Sequence, residues 1–374
     1  MTMQFVVPCL MGVESLIARE LRDLGAEDVR AENARVLFAG DEHILARANI
    51  CLRHAERIQI LLGSFHAETF EDLFQGVKAL PVEDWVGKDD AFPIKGYSLN
   101  SKLFSVRDCQ AIIKKAMVER LKTVYQVPWF SETGVTYQFQ FSILKDEVSI
   151  VLDTTGSGLH KRGYRLQAND APIKETMAAA LVDVARVQNY HTLYDPLCGS
   201  GTILIEGALK ALNMAPGVNR HFSAEQFPQI SADVWEEERE RARSLVDTDC
   251  SFHAYGSDID PESIAIAKEN AKRAGVADRI TFEVRDLKDF EKKSDRGTII
   301  CNPPYGERLM EVKEAEELYR TMGQVFPRER GWASYIISPS EDFERLFGRR
   351  ADKRRKLYNG MIKCQYYMYF KTND

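Results

Sequence analysis

Hydrophobic positions along this chain follow two different rhythms that change over near residue 155. In the first part, apolar runs at 5–7, 36–38, 58–65 and 94–99 predict strands. Apolar residues at helical spacing mark 13–24, 43–54, 70–79 and 108–125, with Gly25 closing the first helix and Pro81 following the third. Two alternating segments, 136–144 and 147–153, meet at Lys145 and Asp146 and predict a hairpin. This mixture is not a repeating strand–helix–strand series, so it predicts a small α+β unit over residues 1–155.

From residue 173 the rhythm becomes regular. A helix to about 188 precedes strand 192–194, helix 202–211, strand 252–257 and helix 261–274. Strands 280–284 and 297–301, helix 311–323 and strand 333–338 follow. Such alternation predicts an α/β domain over 173–374, built on a mostly parallel sheet covered on both faces. Its end, KLYNGMIKCQYYMYFK, predicts an antiparallel hairpin turning at Asn359 and Gly360. Residues 156–172, polar and rich in glycine, read as a linker or exposed loop.

Composition narrows the class. A length of 374 residues suits two domains. No apolar run approaches the roughly 18 residues that span a bilayer, and the start lacks the basic segment of a secretory signal. The 7 cysteines include no C-x-x-C pair, which argues for a reducing, cytoplasmic setting and against a metal site. The net charge of −6 would disfavour a nucleic-acid partner if it were evenly spread. It is not: acid gathers at 233–240 and 311–317, and base at 102–122, 160–165 and 345–356. A local basic face is all that nucleic-acid binding requires.

Four motifs fall at successive predicted strand ends. DPLCGSGT (Asp195, Pro196, Leu197, Cys198, Gly199, Ser200, Gly201, Thr202) leads from a strand into a helix. Its glycines allow a sharp turn and close approach of a ligand, and the helix start favours an anionic group. No Gly-Lys-Ser/Thr follows, so it is not a P-loop. In GSDIDP, Asp258 is suited to hold a ribose beside Ile259, while Asp260 before Pro261 suits a helix N-cap. Asp286, followed by Leu287, ends the strand TFEVRD and could accept from an adenine amine. The fourth motif, CNPPYGER, carries the most information. Asn302 and the carbonyl of Pro303 are two acceptors, Pro304 stiffens the loop, and Tyr305 offers a stacking face. Two acceptors and a flat face suit an exocyclic amine on a planar base. A nicotinamide enzyme would instead carry G-x-G-x-x-G and leaves this motif unexplained.

This order of motifs resembles that of class I S-adenosylmethionine-dependent methyltransferases acting on exocyclic base amines, over about residues 158–374. The segments LHKRGYR, APGVNR, NPPYGER and KLYNG are further similar to RNA guanine-N2 methyltransferases with an N-terminal THUMP domain, notably those acting on large-subunit ribosomal RNA. The resemblance implies a Rossmann-like methyltransferase domain preceded by a ferredoxin-like segment (about 1–65) and a THUMP domain (about 45–155). It implies that Asp195, Gly199 and Gly201 line the methionine end of the cofactor, that Asp258 and Asp286 hold its ribose and adenine, and that Asn302, Pro303 and Tyr305 hold the target base. Asn302, rather than the Asp of tRNA-acting relatives, favours ribosomal RNA. NPPY is shared with adenine-N6 methyltransferases, so tRNA and adenine-N6 are the alternative targets. A non-catalytic RNA-binding module is the alternative of another class, and the intact motifs speak against it.

RNA contacts are expected from Lys161, Arg162 and Arg165 in the presumed linker, from Lys114 and Lys115 on the long helix, and from Arg349, Arg350, Arg354 and Arg355 in the densest basic run. No general base is assigned, since a methylated amine sheds its proton readily. Cys198 and Cys301 are expected to be fillers beside the site, and His160 part of the basic loop.

Overall fold

A computed structural model describes residues 2–165, 173–305 and 309–371, and organises them around two seven-stranded sheets. The first comprises β1 (Met3–Pro8), β2 (Glu27–Glu32), β3 (Arg35–Gly40), β4 (Gln59–His66), β5 (Ile94–Leu99), β6 (Phe139–Leu144) and β7 (Glu147–Asp153). Their order is β2-β3-β1-β4-β7-β6-β5. The helices α1 (Glu14–Asp23), α2 (Glu42–Cys51), α3 (Phe70–Lys78) and α4 (Val106–Tyr125) accompany it. Start signals are local: Thr69 caps α3 in a reciprocal pair with Asp72, and Ser105 caps α4. Lys145 and Asp146 both take positive φ, 51° and 66°, as a tight two-residue hairpin turn requires.

β4 is the hinge of this sheet. It pairs antiparallel with β1, placing Phe5 opposite Ile60, and with β7, placing Gln59 opposite Asp153. The two N-terminal segments therefore share one continuous sheet. β2 was not expected from the pattern, because EDVRAE is a polar edge strand whose residues are almost all exposed. It has no apolar alternation to betray it.

The second sheet comprises β8 (Thr192–Asp195), β9 (His253–Asp258), β10 (Ile280–Val284), β11 (Gly297–Cys301), β12 (Trp332–Ser338), β13 (Lys353–Asn359) and β14 (Ile362–Tyr369). Its order is β10-β9-β8-β11-β12-β14-β13. The first five run parallel, and β14 pairs antiparallel with both β12 and β13, as the alternation and the closing hairpin predicted. Helices α5 (Glu175–Val184), α6 (Thr202–Ala211), α7 (Ala232–Ser244), α8 (Pro261–Arg273), α9 (Leu309–Val325) and α10 (Phe343–Phe347) surround it. α5 ends earlier than expected, and Arg186 just beyond it sits at φ 57°.

The segment read as an exposed linker is largely a packed strap over its described part. Leu159, Arg162 and Tyr164 are buried. Arg162 donates to the carbonyls of Leu159 and Arg53, and its guanidinium meets Glu206 of α6 at 3.4 Å. Tyr164 donates to the same carboxylate at 3.0 Å. Residues 166–172 lie outside the described residues. The acidic run 233–240 stays open at Asp233, Glu236, Glu237 and Glu240, whereas Glu238 is buried. It lies in the unexpected helix α7, where buried Glu238 accepts from Arg47 of α2 at 2.8 and 2.7 Å and from Arg241. No helix among the described residues is long and apolar enough to cross a membrane.

Candidate active site

β8 and β11 are neighbours in the sheet, yet the chain leaves β8 toward β9 on one side and returns to β11 on the other. At such a reversal the loops after the two strands diverge and leave a crevice, where open α/β sheets bind ligands. The glycine loop follows β8, and Asn302 follows β11.

The loop is held by its neighbours rather than by itself. Gly199 and Gly201 take positive φ, 49° and 79°. A Cβ on Gly201 would lie 3.0 Å from the Phe282 ring and 3.1 Å from Ala267, so only glycine fits there without displacement. Cys198 N–H donates to the Ser257 carbonyl at 2.9 Å, and Gly199 N–H to Asp258 Oδ2 at 2.9 Å. Asn270, buried on α8, donates to the Ser200 carbonyl at 3.0 Å. Ser200 Oγ and Thr202 Oγ1 lie 3.2 Å apart. Asn270 was not foreseen, since a lone Asn on an amphipathic helix carries no motif.

Asp195 is buried beneath the loop, with Leu197 N–H donating to its Oδ1 at 3.2 Å. Burial pushes its carboxyl up to about 8, and the charge of Asp258 adds to the shift. Pro196 and Cys198 are also buried, and burial raises the Cys198 and Cys301 thiols well above the ordinary range, which suits the filler role expected of them. Asp258 is half-buried, and its other oxygen accepts from Asp260 N–H at 3.0 Å. Asp260 caps α8 with Pro261 at the first helical position, as its sequence context predicted. Ile259 beside them is an apolar side chain that is 68% exposed. Asp286 accepts from Lys288 N–H, whereas the Leu287 side chain is buried in the core, leaving only its backbone for a ligand.

After β11, Asn302 is half-buried and Pro303 buried. The Tyr305 hydroxyl donates to Asn302 Oδ1 at 2.6 Å and accepts from Asn359 Nδ2 at 3.0 Å. Tyr319 donates to the Pro304 carbonyl at 3.4 Å. Among the described residues nothing donates to the Pro303 carbonyl. The Tyr305 ring packs partly against the core, and burial raises its hydroxyl pKa, so it stays a donor. Less of the ring stands open for stacking than the motif suggested. What the motif did not reveal is the chain of donors from Asn359, in the turn of the closing hairpin, through Tyr305 to Asn302. It makes Oδ1 the acceptor end of that amide and leaves its second lone pair for another donor.

The basic residues sort into two groups. Arg162 and Arg165 are not available to RNA. Arg162 is spent as described above, and Arg165 pairs with Glu175 at 2.9 Å while reaching the Ile173 carbonyl and Thr202 Oγ1. Lys114 pairs with Glu132 and covers the Phe92 ring, Arg354 pairs with Glu344, and Arg349 lies 3.6 Å from Asp352. Lys115, Lys161 and Arg350 are exposed. His160 faces Glu56 at 3.2 Å. Among the described residues no group of three His, Cys, Asp or Glu could hold a metal ion.

A parallel sheet of this order, with a glycine loop and an Asn-Pro-Pro-Tyr turn on either side of its reversal point, defines a class I methyltransferase. The chain belongs to the RMKL-like methyltransferase-domain family (UPF0020), which matches residues 162–368; the RlmL ferredoxin-like domain matches 4–59 and the THUMP domain 67–153. YpsC of Bacillus subtilis, provisionally named an RNA methyltransferase, is 45% identical, with 96% of this chain and 94% of that protein covered. The ribosomal RNA large subunit methyltransferase K/L of Aliivibrio salmonicida is 35% identical over 94% of this chain, which spans 51% of that relative. SMU.472, solved in complex with SAH, superposes with a TM-score of 0.94 at 40% identity, covering 100% of this chain and 99% of that one. β4 begins where the ferredoxin-like match ends and finishes where the THUMP match begins, so the strand that joins them belongs almost wholly to neither.

Proposed function

We propose that this protein is a cytoplasmic RNA methyltransferase that transfers the methyl group of S-adenosylmethionine to the exocyclic N2 amine of a guanine in large-subunit ribosomal RNA. The observation that carries this reading is the pair of acceptors at the reversal point: Asn302 Oδ1, oriented by Tyr305, beside an unclaimed Pro303 carbonyl. The glycine loop, Asp258, exposed Ile259 and Asp286 are of the right chemistry to hold the cofactor, because amide groups, carboxylates and an apolar face gather at adjacent strand ends. Bound there, S-adenosylmethionine supplies an electrophilic methyl group. The chain's own part is to orient the amine. Asn302 Oδ1 and the Pro303 carbonyl accept its two hydrogens, draw its lone pair out of conjugation and stabilise the positive charge that develops on nitrogen. The base must be unpaired or flipped to reach them. The THUMP region and the named RNA-acting relatives support RNA as substrate.

The test is transfer of labelled methyl to RNA from cells lacking the gene, followed by nucleoside mass spectrometry. N2-methylguanosine in the large ribosomal RNA is expected. N6-methyladenosine, or label confined to tRNA, would overturn the target while keeping the chemistry. No label in any RNA would refute the RNA substrate.

A further inference from the structure

A cleft of about 720 Å³ opens between the N-terminal half and the methyltransferase sheet, on the face of the sheet that carries α5. It is lined by Arg19 of α1, Arg186 after α5, and Lys353 and Arg355 of β13, with Phe370 at its side. The alternation of a strand explains the selection. Lys353 and Arg355 share one face of β13, whereas Arg354 between them turns the other way, to Glu344 of α10. The basic run is thus divided. On one face Arg354 is neutralised inside the domain, and the other face is aimed into the cleft.

Arg19 in this cleft has a carboxylate partner, and the other three cations do not. Among the described residues Arg186 and Lys353 form no ion pair. The Arg355 guanidinium donates only to the Gly12 carbonyl and Ser15 Oγ, so its charge is uncompensated. Arg19 pairs with Asp183, but that carboxylate also takes Lys210 at 2.6 Å. Three unneutralised cations from two elements therefore face a common space in a chain of net charge −6. Phe370, 44% exposed, places an aromatic face beside them. Clustered cations with an open aromatic ring are what a single-stranded nucleic acid uses, phosphates on the former and a base on the latter. From Lys353 the strand runs about 20 Å to Asn359, beside Tyr305, so a nucleic-acid strand following β13 leads from the cleft toward Asn302.

We propose that this cleft holds the sugar–phosphate backbone of single-stranded RNA flanking the methylated base. The proposal rests on the reading that RNA is the substrate. The test uses the full chain and a labelled, mixed-sequence single-stranded RNA oligonucleotide, titrated at several salt concentrations. Removing both charges in R186Q/K353Q is expected to lower affinity at least tenfold at low salt and to flatten the slope of log K against log salt by about 1.4. A matched pair beside the opposite edge of the sheet, K268Q/K272Q on α8 next to β9 and β10, is expected to change neither. Melting temperature confirms the fold, and K353Q alone, at an exposed strand position, gives a second variant with half the change in slope. Unchanged affinity and slope in R186Q/K353Q, or an equal loss in K268Q/K272Q, would overturn the cleft. Failure of the wild-type chain to methylate any RNA would refute the substrate reading instead, and is read from a different assay.

Discussion

The two sheets have equal strand number and opposite character. In the first, β1, β3, β4, β6 and β7 pair antiparallel, so neighbouring strands end on opposite edges and chemistry-bearing groups are scattered. In the second, β8, β9, β10, β11 and β12 are parallel, and Asp195, Asp258, Asp286 and Asn302 all arrive at one edge. Strand direction, more than composition, decides which half can assemble a reaction site. The first sheet instead supplies surface and a partner for the strap that ties the halves together.

The sharpest break of this comparison is at the tie itself. Arg162→Ala would leave Glu206 buried without its cation, and stability is expected to fall by about 3–5 kcal/mol, read by denaturant unfolding. Its exposed neighbour Lys161→Ala should shift stability by less than about 0.5 kcal/mol. Within the second sheet, Asn302→Ala is expected to cut methyl transfer by about 10²–10³-fold with cofactor affinity nearly intact; a parallel loss of binding in calorimetry would refute its role. Gly201→Ala must place a side chain at φ 79° against Phe282, costing about 1–2 kcal/mol, and should weaken cofactor binding more than it slows saturated turnover. Asn359→Leu removes the donor that orients Tyr305. A drop of about tenfold in kcat with little change in the KM for cofactor is expected.

The mildest effect concerns pH. Asp195 ordinarily titrates near 3.8 and is pushed up to about 8 in the fold. Between those values the folded chain keeps a proton that the unfolded chain has lost, so this group's stabilising contribution fades as pH rises through the window. Asp195→Asn should therefore gain in melting temperature relative to wild type on going from about pH 5 to about pH 9. Parallel profiles would contradict the shift.

Most of the second sheet was legible in the sequence because its strands are apolar runs punctuated by Gly, Pro and Asp, and its site residues sit in contiguous motifs. The N-cap at Asp260 and the turn at Gly360 followed from local rules. What escaped was long-range or amphipathic. β2 carries no apolar stripe, and Asn270 and Asn359 act on residues 70 and 54 positions away. Arg162 looked like a solvated cation because composition cannot tell that Glu206, 44 residues on, waits for it in the core. Charge runs reveal where base is concentrated but not which residues are already paired. The alternation of β13 made that division between Arg354 and its two neighbours.

The strap has a consequence for how such chains can be recombined. A joint drawn at residue 155, where the rhythm of the sequence changes, would part Arg162 from the Arg53 carbonyl, and one drawn after Tyr164 would part both residues from Glu206. A methyltransferase module moved to a new RNA-capturing partner must therefore carry this segment with it, together with a surface able to receive Arg162. The two halves are exchangeable parts only as far as that socket is copied.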